Sequence, residues 1–350
     1  MPLWVLITMT MALAVLDTGI DIDHPDLNVA GGINTVGEKT GDEPSPDPRN
    51  YNATDSSHGT AIAGIIAALD NEFGVIGVAP EASLYAVKFR KFSGVVPPDQ
   101  TPEFNYLDPT TYSFTDLYEG MRWCIDNHMQ VISMSFGTWT VDRRGNRRYP
   151  LHDPQFYSLI QEAYDEGIIL VGASGNDSRE LEVCDLPPDS PTEYPDQRYD
   201  FPASYPEVMG ISATAMIATT KGKPGERERI HSFAPYSNYG PAIELAAPGS
   251  AETTINDGEY ATYGGTSNAS PHVAATAALV LASGVPAESV RQILIDTAED
   301  LGDPGWDIYY GHGLVDAEHA VLGTTSSAPP RYTLSSRGKL SITWGKLKNE

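Results

Sequence analysis

The sequence predicts an α/β fold of three layers, a mostly parallel central sheet with helices on both faces. Three observations predict it. Short, continuous apolar runs at residues 11–16 and 168–171 have the length and composition of strands buried on both faces. Segments with helical spacing alternate with such runs, as at 114–128, where Leu117, Met121, Cys124 and Ile125 form one face. The runs end on polar or turn residues, in the sequences Asp17-Thr18-Gly19, Ser135-Phe136-Gly137 and Ser174-Gly175-Asn176. A parallel sheet opens its binding crevice at the carboxyl ends of its strands.

Taken in order, the first strand delivers Asp17 at its end, and residues 21–26 form a loop broken by Pro25. Residues 37–52, rich in Pro, Gly and charge, read as a surface excursion. His58 opens an apolar, Ala- and Gly-containing helix through residue 69, a loop covers 70–77, and 83–89 is the next strand. Four prolines within 91–112 mark an inserted loop. After the helix at 114–128 come a strand at 131–134, a basic cluster at 143–148 read as a solvated loop, and a helix at about 154–166. Beyond the strand at 168–171, residues 178–200 form a Pro- and Asp-rich loop, 208–215 and 243–246 are strands, and 287–297 is an amphipathic helix. Residues 1–323 are expected to make one domain, and 324–350, which lose any core period, a linker-like tail.

The chain centres on Gly264-Gly265-Thr266-Ser267-Asn268-Ala269-Ser270-Pro271-His272. Glycines feed a hydroxyl residue at a helix start, where free backbone N–H groups and the positive end of the helix dipole favour developing negative charge. A serine there needs a base in reach and an oriented acid behind it. His58 at a helix start and Asp17 at a strand end supply both types at the same sheet edge.

Composition narrows the partners. With 22 Lys+Arg against 47 Asp+Glu the formal charge is −25, which disfavours nucleic acid and anionic membrane and favours basic peptides or cations. The apolar run near the amino terminus lacks a basic flank and is too short to span a bilayer. Cys124 and Cys184 cannot build a disulfide framework and read as unpaired thiols.

Together these segments resemble the subtilisin-like serine proteases, the subtilases. The resemblance rests on Val15-Leu16-Asp17-Thr18-Gly19-Ile20-Asp21 with His24-Pro25-Asp26-Leu27, His58-Gly59-Thr60, Ala173-Ser174-Gly175-Asn176, and Gly265-Thr266-Ser267 with Ala269-Ser270-Pro271-His272-Val273-Ala274. Phe201-Pro202-Ala203-Ser204-Tyr205-Pro206 and Tyr310-Gly311-His312-Gly313 extend it over most of residues 11–322.

The resemblance implies an endopeptidase with Asp17, His58 and Ser267 as its triad and Asn176 as oxyanion donor. It implies a groove that takes the substrate as an added strand along residues 133–137. Ser135, Phe136, Gly137, Ala173, Ser174 and Gly175 would wall the first specificity pocket. Asp200 at the pocket base and Asp177 at its rim would favour Lys or Arg before the scissile bond. A structural Ca²⁺ is implied at Asp26, Asn71 and the carbonyls of Leu69, Phe73 and Val75, all hard oxygen donors. It would be weakened, because the amino-terminal part of the family domain is expected to be missing. A polypeptide substrate, a propeptide, a monomeric state and secretion follow by the same resemblance. Two alternatives stay open: a peptide ligase or macrocyclase on the same fold, and a non-catalytic peptide-binding relative.

Overall fold

The computed structural model describes residues 11–36, 56–90, 114–141, 147–150, 152–184, 199–220, 227–323, 333–334 and 340–341. In chain order the elements are β1 (Ala12–Asp17), β2 (Val29–Asn34), α1 (His58–Ala67), β3 (Ser83–Lys88), α2 (Phe114–Asp126), β4 (Val131–Met134), β5 (Trp139–Val141), β6 (Arg147–Pro150), α3 (Pro154–Asp165) and β7 (Ile169–Ala173). They continue as β8 (Met209–Thr220), β9 (Arg227–Phe233), β10 (Leu245–Pro248), β11 (Ser250–Ile255), β12 (Glu259–Gly264), α4 (Thr266–Ala282), α5 (Ala287–Asp296), α6 (Ala317–Leu322), β13 (Thr333–Leu334) and β14 (Leu340–Ser341).

An eight-stranded sheet runs β10-β8-β7-β4-β1-β3-β2, parallel throughout, with β9 added antiparallel to β8. The apolar runs of the sequence are continuous because each strand is covered twice. On β1, Leu13 and Val15 face a core built with α1, α4 and α5, including Ile62, Ile66, Val273 and Leu294. Ala14 and Leu16 face the opposite core with α2 and α3, including Leu117, Met121, Phe156 and Ile160. This is the three-layer arrangement expected. Every residue of α1 is buried, so a helix with almost no polar face lies between the sheet and the β11–β12 hairpin. Strand order reverses between β1 and β4: β3 and β2 continue from one, β7 and β8 from the other. The crevice of such a sheet opens at that switch point, and Asp17 is the last residue of β1.

Several elements depart from the sequence reading. β2 escaped it because its Val-Ala-Gly-Gly-Ile-Asn sequence is a partly exposed edge strand without alternation. The β11–β12 hairpin is rich in Thr, Glu and Tyr and packs only one side on α1. The basic cluster is not wholly a solvated loop: Arg147 and Arg148 lie in β6, which pairs with β5, whereas 142–146 fall outside the described residues. The expected loops at 37–52 and 91–112 also fall outside them, as do residues 185–198 of the expected loop at 178–200. Within the expected tail, β13 and β14 pair antiparallel. Cys124 and Cys184 are both buried free thiols. No described helix is long and apolar enough to cross a membrane.

Candidate active site

Backbone contact between β1 and α1 brings Asp17 and His58 together. A Cβ on Gly59 would lie 2.1 Å from the Gly19 carbonyl oxygen, so only glycine permits this approach. The Gly59 N–H donates to Thr18 Oγ1 at 3.0 Å, and the Thr18 N–H donates to Asp17 Oδ1 at 2.7 Å. His58 Nδ1 then lies 2.8 Å from both Asp17 oxygens. Facing a carboxylate, Nδ1 carries the hydrogen, which leaves Nε2 with the lone pair. Nε2 is buried and has no hydrogen-bond partner among the described residues. The Tyr263 ring meets the imidazole edge-on, 6.0 Å between centroids.

Asp17 is fully buried, and burial alone would raise its pKa. The charges of Arg90 and His58, with their hydrogen bonds, outweigh that and hold the carboxyl well below the usual carboxylate range. Arg90 Nη2 donates to Asp17 Oδ1 at 2.8 Å and sits 3.2 Å from His58 Nδ1. The sequence reading missed Arg90: it follows β3 by two residues, in no motif, and reaches the site only through strand pairing.

Ser267 is the second residue of α4, half-buried at the helix start, after Gly265 at φ +116°. Pro271 sits inside α4 and has no N–H to offer the Ser267 carbonyl four residues earlier. The Ser135 hydroxyl takes that place, donating to Ser267 O at 3.0 Å while 2.9 Å from Ser270 Oγ. Ser135 is thus buried against α4, and its side chain ties the end of β4 to that helix. Its neighbour Asn268 is buried too, donating to the Tyr263 carbonyl at 2.6 Å.

Asn176 follows β7 and meets the same helix start. The Thr266 N–H points at Asn176 Oδ1 at 2.8 Å, and Thr266 Oγ1 lies 3.0 Å from it. An N–H can only donate, so the atom it meets is the amide oxygen. Asn176 Nδ2 lies beside Gly265, where a Cβ would stand 3.3 Å from it. The Gly175 N–H donates to Thr266 Oγ1 at 3.1 Å, which fixes the β7 end to α4 from the other side.

Phe136, Ala173 and Ser174 are buried along the ends of β4 and β7, and Gly137 and Gly175 adjoin them half-buried. Asp200 lies under this wall: a Cβ on Gly175 would come within 2.4 Å of Asp200 Oδ2. The expected acidic pocket is corrected in one respect. Arg179 pairs with Asp200 at 3.3 Å and with Asp177 at 3.4 Å, so one cation of the chain already bridges the two carboxylates. Asn238, also missed in the sequence, is fully buried and organises this rim. It donates to Ser174 O at 2.7 Å and accepts from the Asp177 and Arg179 N–H groups at 3.0 Å each.

The loop after α1 places Asn71 and Val75 against Asp26, with Leu69 and Phe73 tied into the same loop. Asp26 is buried and accepts from Asn71 Nδ2 at 2.7 Å, the Val75 N–H at 3.0 Å and Tyr260 Oη at 3.2 Å. Asn71 Oδ1 accepts from the Phe73 N–H at 3.0 Å, and the Leu69 N–H donates to Asp26 O at 3.0 Å. The donors fit calcium in kind, but here the loop closes on its own hydrogen bonds. Among the described residues no group of three or more His, Cys, Asp or Glu side chains is placed to hold a metal ion.

Residues 9–313 match the sequence model of the Subtilase family. The chain belongs to the subtilase family. Among relatives of this subtilase, Subtilisin NAT of Bacillus subtilis subsp. natto is 33% identical over 312 residues, covering 88% of this chain and 65% of that protein. The Thermostable alkaline protease of Halalkalibacterium halodurans is 36% identical over 313 residues, 88% of this chain and 67% of that protein. Subtilisin of Bacillus pumilus is 32% identical over 312 residues, 88% of this chain and 90% of its own length. The chain therefore spans about two thirds of the first two relatives and most of the third.

Proposed function

We propose that this subtilase is a serine endopeptidase acting through an acyl-enzyme on Ser267. The supporting observation is the buried His58–Asp17 pair, which fixes the imidazole tautomer and leaves Nε2 without a hydrogen-bond partner among the described residues. Ser267 Oγ attacks the scissile carbonyl carbon as its proton passes to His58 Nε2. Asn176 Nδ2 and the Ser267 N–H stabilise the oxyanion. The imidazolium then gives its proton to the departing amine. Water, deprotonated by the same nitrogen, hydrolyses the ester and restores Ser267. By family resemblance the substrate is polypeptide, and the protein acts as a secreted monomer whose folding a propeptide assists.

A fluorophosphonate probe tests the assignment. Folded protein is expected to be labelled at Ser267, and Ser267→Ala protein not at all. A folded wild-type chain that takes no label would instead be a peptide-binding relative. Product analysis with added amine distinguishes hydrolysis from ligation.

In the proposed first specificity pocket Arg179 pairs with both Asp177 and Asp200 and offsets part of their charge. The preference for Lys or Arg before the scissile bond is therefore modest in the wild type. Arg179→Ala should raise kcat/KM for Arg over Phe peptides by about tenfold, roughly the worth of one charge-assisted hydrogen bond. Equal or better cleavage after Phe in both proteins would remove Asp200 from the specificity assignment.

Calcium is proposed as a structural ligand of Asp26, the Asn71 amide oxygen and the carbonyls of Leu69, Phe73 and Val75, supplying loop rigidity and no catalytic step. Binding must turn the Asn71 amide and compete with Tyr260 for Asp26, which makes the site weak. At a tenfold excess of calcium over Kd the stabilisation is about 1.4 kcal/mol. A chelator should then lower Tm by roughly 3–6 °C, and Asp26→Asn should abolish that response. An unchanged Tm in wild-type protein would count against the site.

A further inference from the structure

Arg90 is a charge set into the catalytic pair. Its side chain is 5% exposed, its guanidinium shares Asp17 Oδ1 with the imidazole, and its central carbon lies 5.7 Å from the Phe89 ring centroid and 6.0 Å from that of Phe136. Arg90 Nε is buried without a hydrogen-bond partner among the described residues, and Nη2 is the guanidinium atom that meets Asp17 and His58. The 3.2 Å approach of Nη2 to His58 Nδ1 cannot be a hydrogen bond while Nδ1–H donates to Asp17. It sets a permanent positive charge against the ring. Because guanidinium does not lose its proton in the working range of a protease, this charge is independent of pH.

A triad carboxylate ordinarily spends its charge on the imidazolium that forms as serine attacks. Here that carboxylate is shared between a guanidinium and the imidazole. On the endopeptidase reading above, we propose that Arg90 is a positioning residue that biases His58 toward its neutral, proton-accepting form and so extends activity toward acidic pH. Among the described residues the Tyr263 ring from β12 also meets the imidazole, and Lys88 is the register partner of Asp17 on β3. None of them changes in the comparison below. The expected sign is direct: withdrawing the guanidinium leaves Asp17 wholly to His58, stabilises the imidazolium and keeps the base blocked to higher pH.

The test follows the rate of fluorophosphonate labelling at Ser267 against pH in wild type, Arg90→Gln, Arg90→Leu and Arg90→Lys. Gln and Leu are expected to move the acid limb upward by about one pH unit or more, the effect of a neighbouring charge lost from a buried site. Lys should leave the limb within a few tenths of wild type. The limb is read from the shape of the profile rather than its height, so a variant recovered in small folded yield still reports it. An unmoved limb in Gln and Leu, or failure of both to give any labelled protein while Lys does, would make Arg90 purely structural and overturn the proposal. Failure of the endopeptidase reading is distinct: wild-type protein would then take no label at any pH.

Discussion

Alanine at His58 is expected to lower kcat on a peptide anilide by about six orders of magnitude, the loss seen when the triad histidine of subtilisin is removed. Serine is a poor nucleophile unless its proton has somewhere to go during attack, and on the proposed reading His58 Nε2, which has no hydrogen-bond partner among the described residues, receives it. The variant should nevertheless fold. Asp17 would keep Arg90 at 2.8 Å and the Thr18 N–H at 2.7 Å, so removing the imidazole does not strand a buried carboxylate. The melt should therefore stay within a few degrees of wild type while turnover collapses. A loss of less than a hundredfold in well-folded protein would mean that another group serves as base.

Asn176→Ala should lower kcat by ~10²–10³ with little change in KM, a loss of about 2.7–4 kcal/mol of transition-state stabilisation. Donation to an oxyanion strengthens only as charge develops, so it bears on kcat more than on substrate binding. Asn176 also has a second role, accepting from Thr266 N and lying against Thr266 Oγ1. Asn176→Asp separates the two. A carboxylate can still accept from Thr266, but it presents an anion where Nδ2 had donated. The Asp variant should be at least as impaired as Ala. If it retained near wild-type turnover, the amide would be serving only to pin the start of α4.

The elements legible in the sequence were those whose signal is local. β1, β4 and β7 announced themselves by short apolar runs with a polar residue at or just beyond the end, and α4 by glycines before a hydroxyl residue. Asp17, His58, Ser267 and Asn176 each sit at such a terminus, and their short motifs carried the family resemblance. Arg90, Arg179 and Asn238 were not legible, because their roles exist only after distant segments meet. Arg90 reaches Asp17 across 73 positions, and Asn238 reaches Ser174 across 64. A charged residue after a strand and an asparagine in a turn have many ordinary explanations. The loop around Asp26 showed the reverse: donor types could be read, but whether protein hydrogen bonds already occupied them could not.

The close approach of Gly59 to the Gly19 carbonyl bears on how rigidly Asp17 and His58 are held together. With main chain resting on main chain, α1 has no slack to slide or tilt relative to β1 without separating acid from base. On the proposed reading the acid–base half of the site is therefore a fixed anvil. On the opposite side the ends of β4 and β7 are fastened to α4 by side-chain hydroxyls and an amide, so on the proposed reading that wall is where substrates of differing bulk would be accommodated.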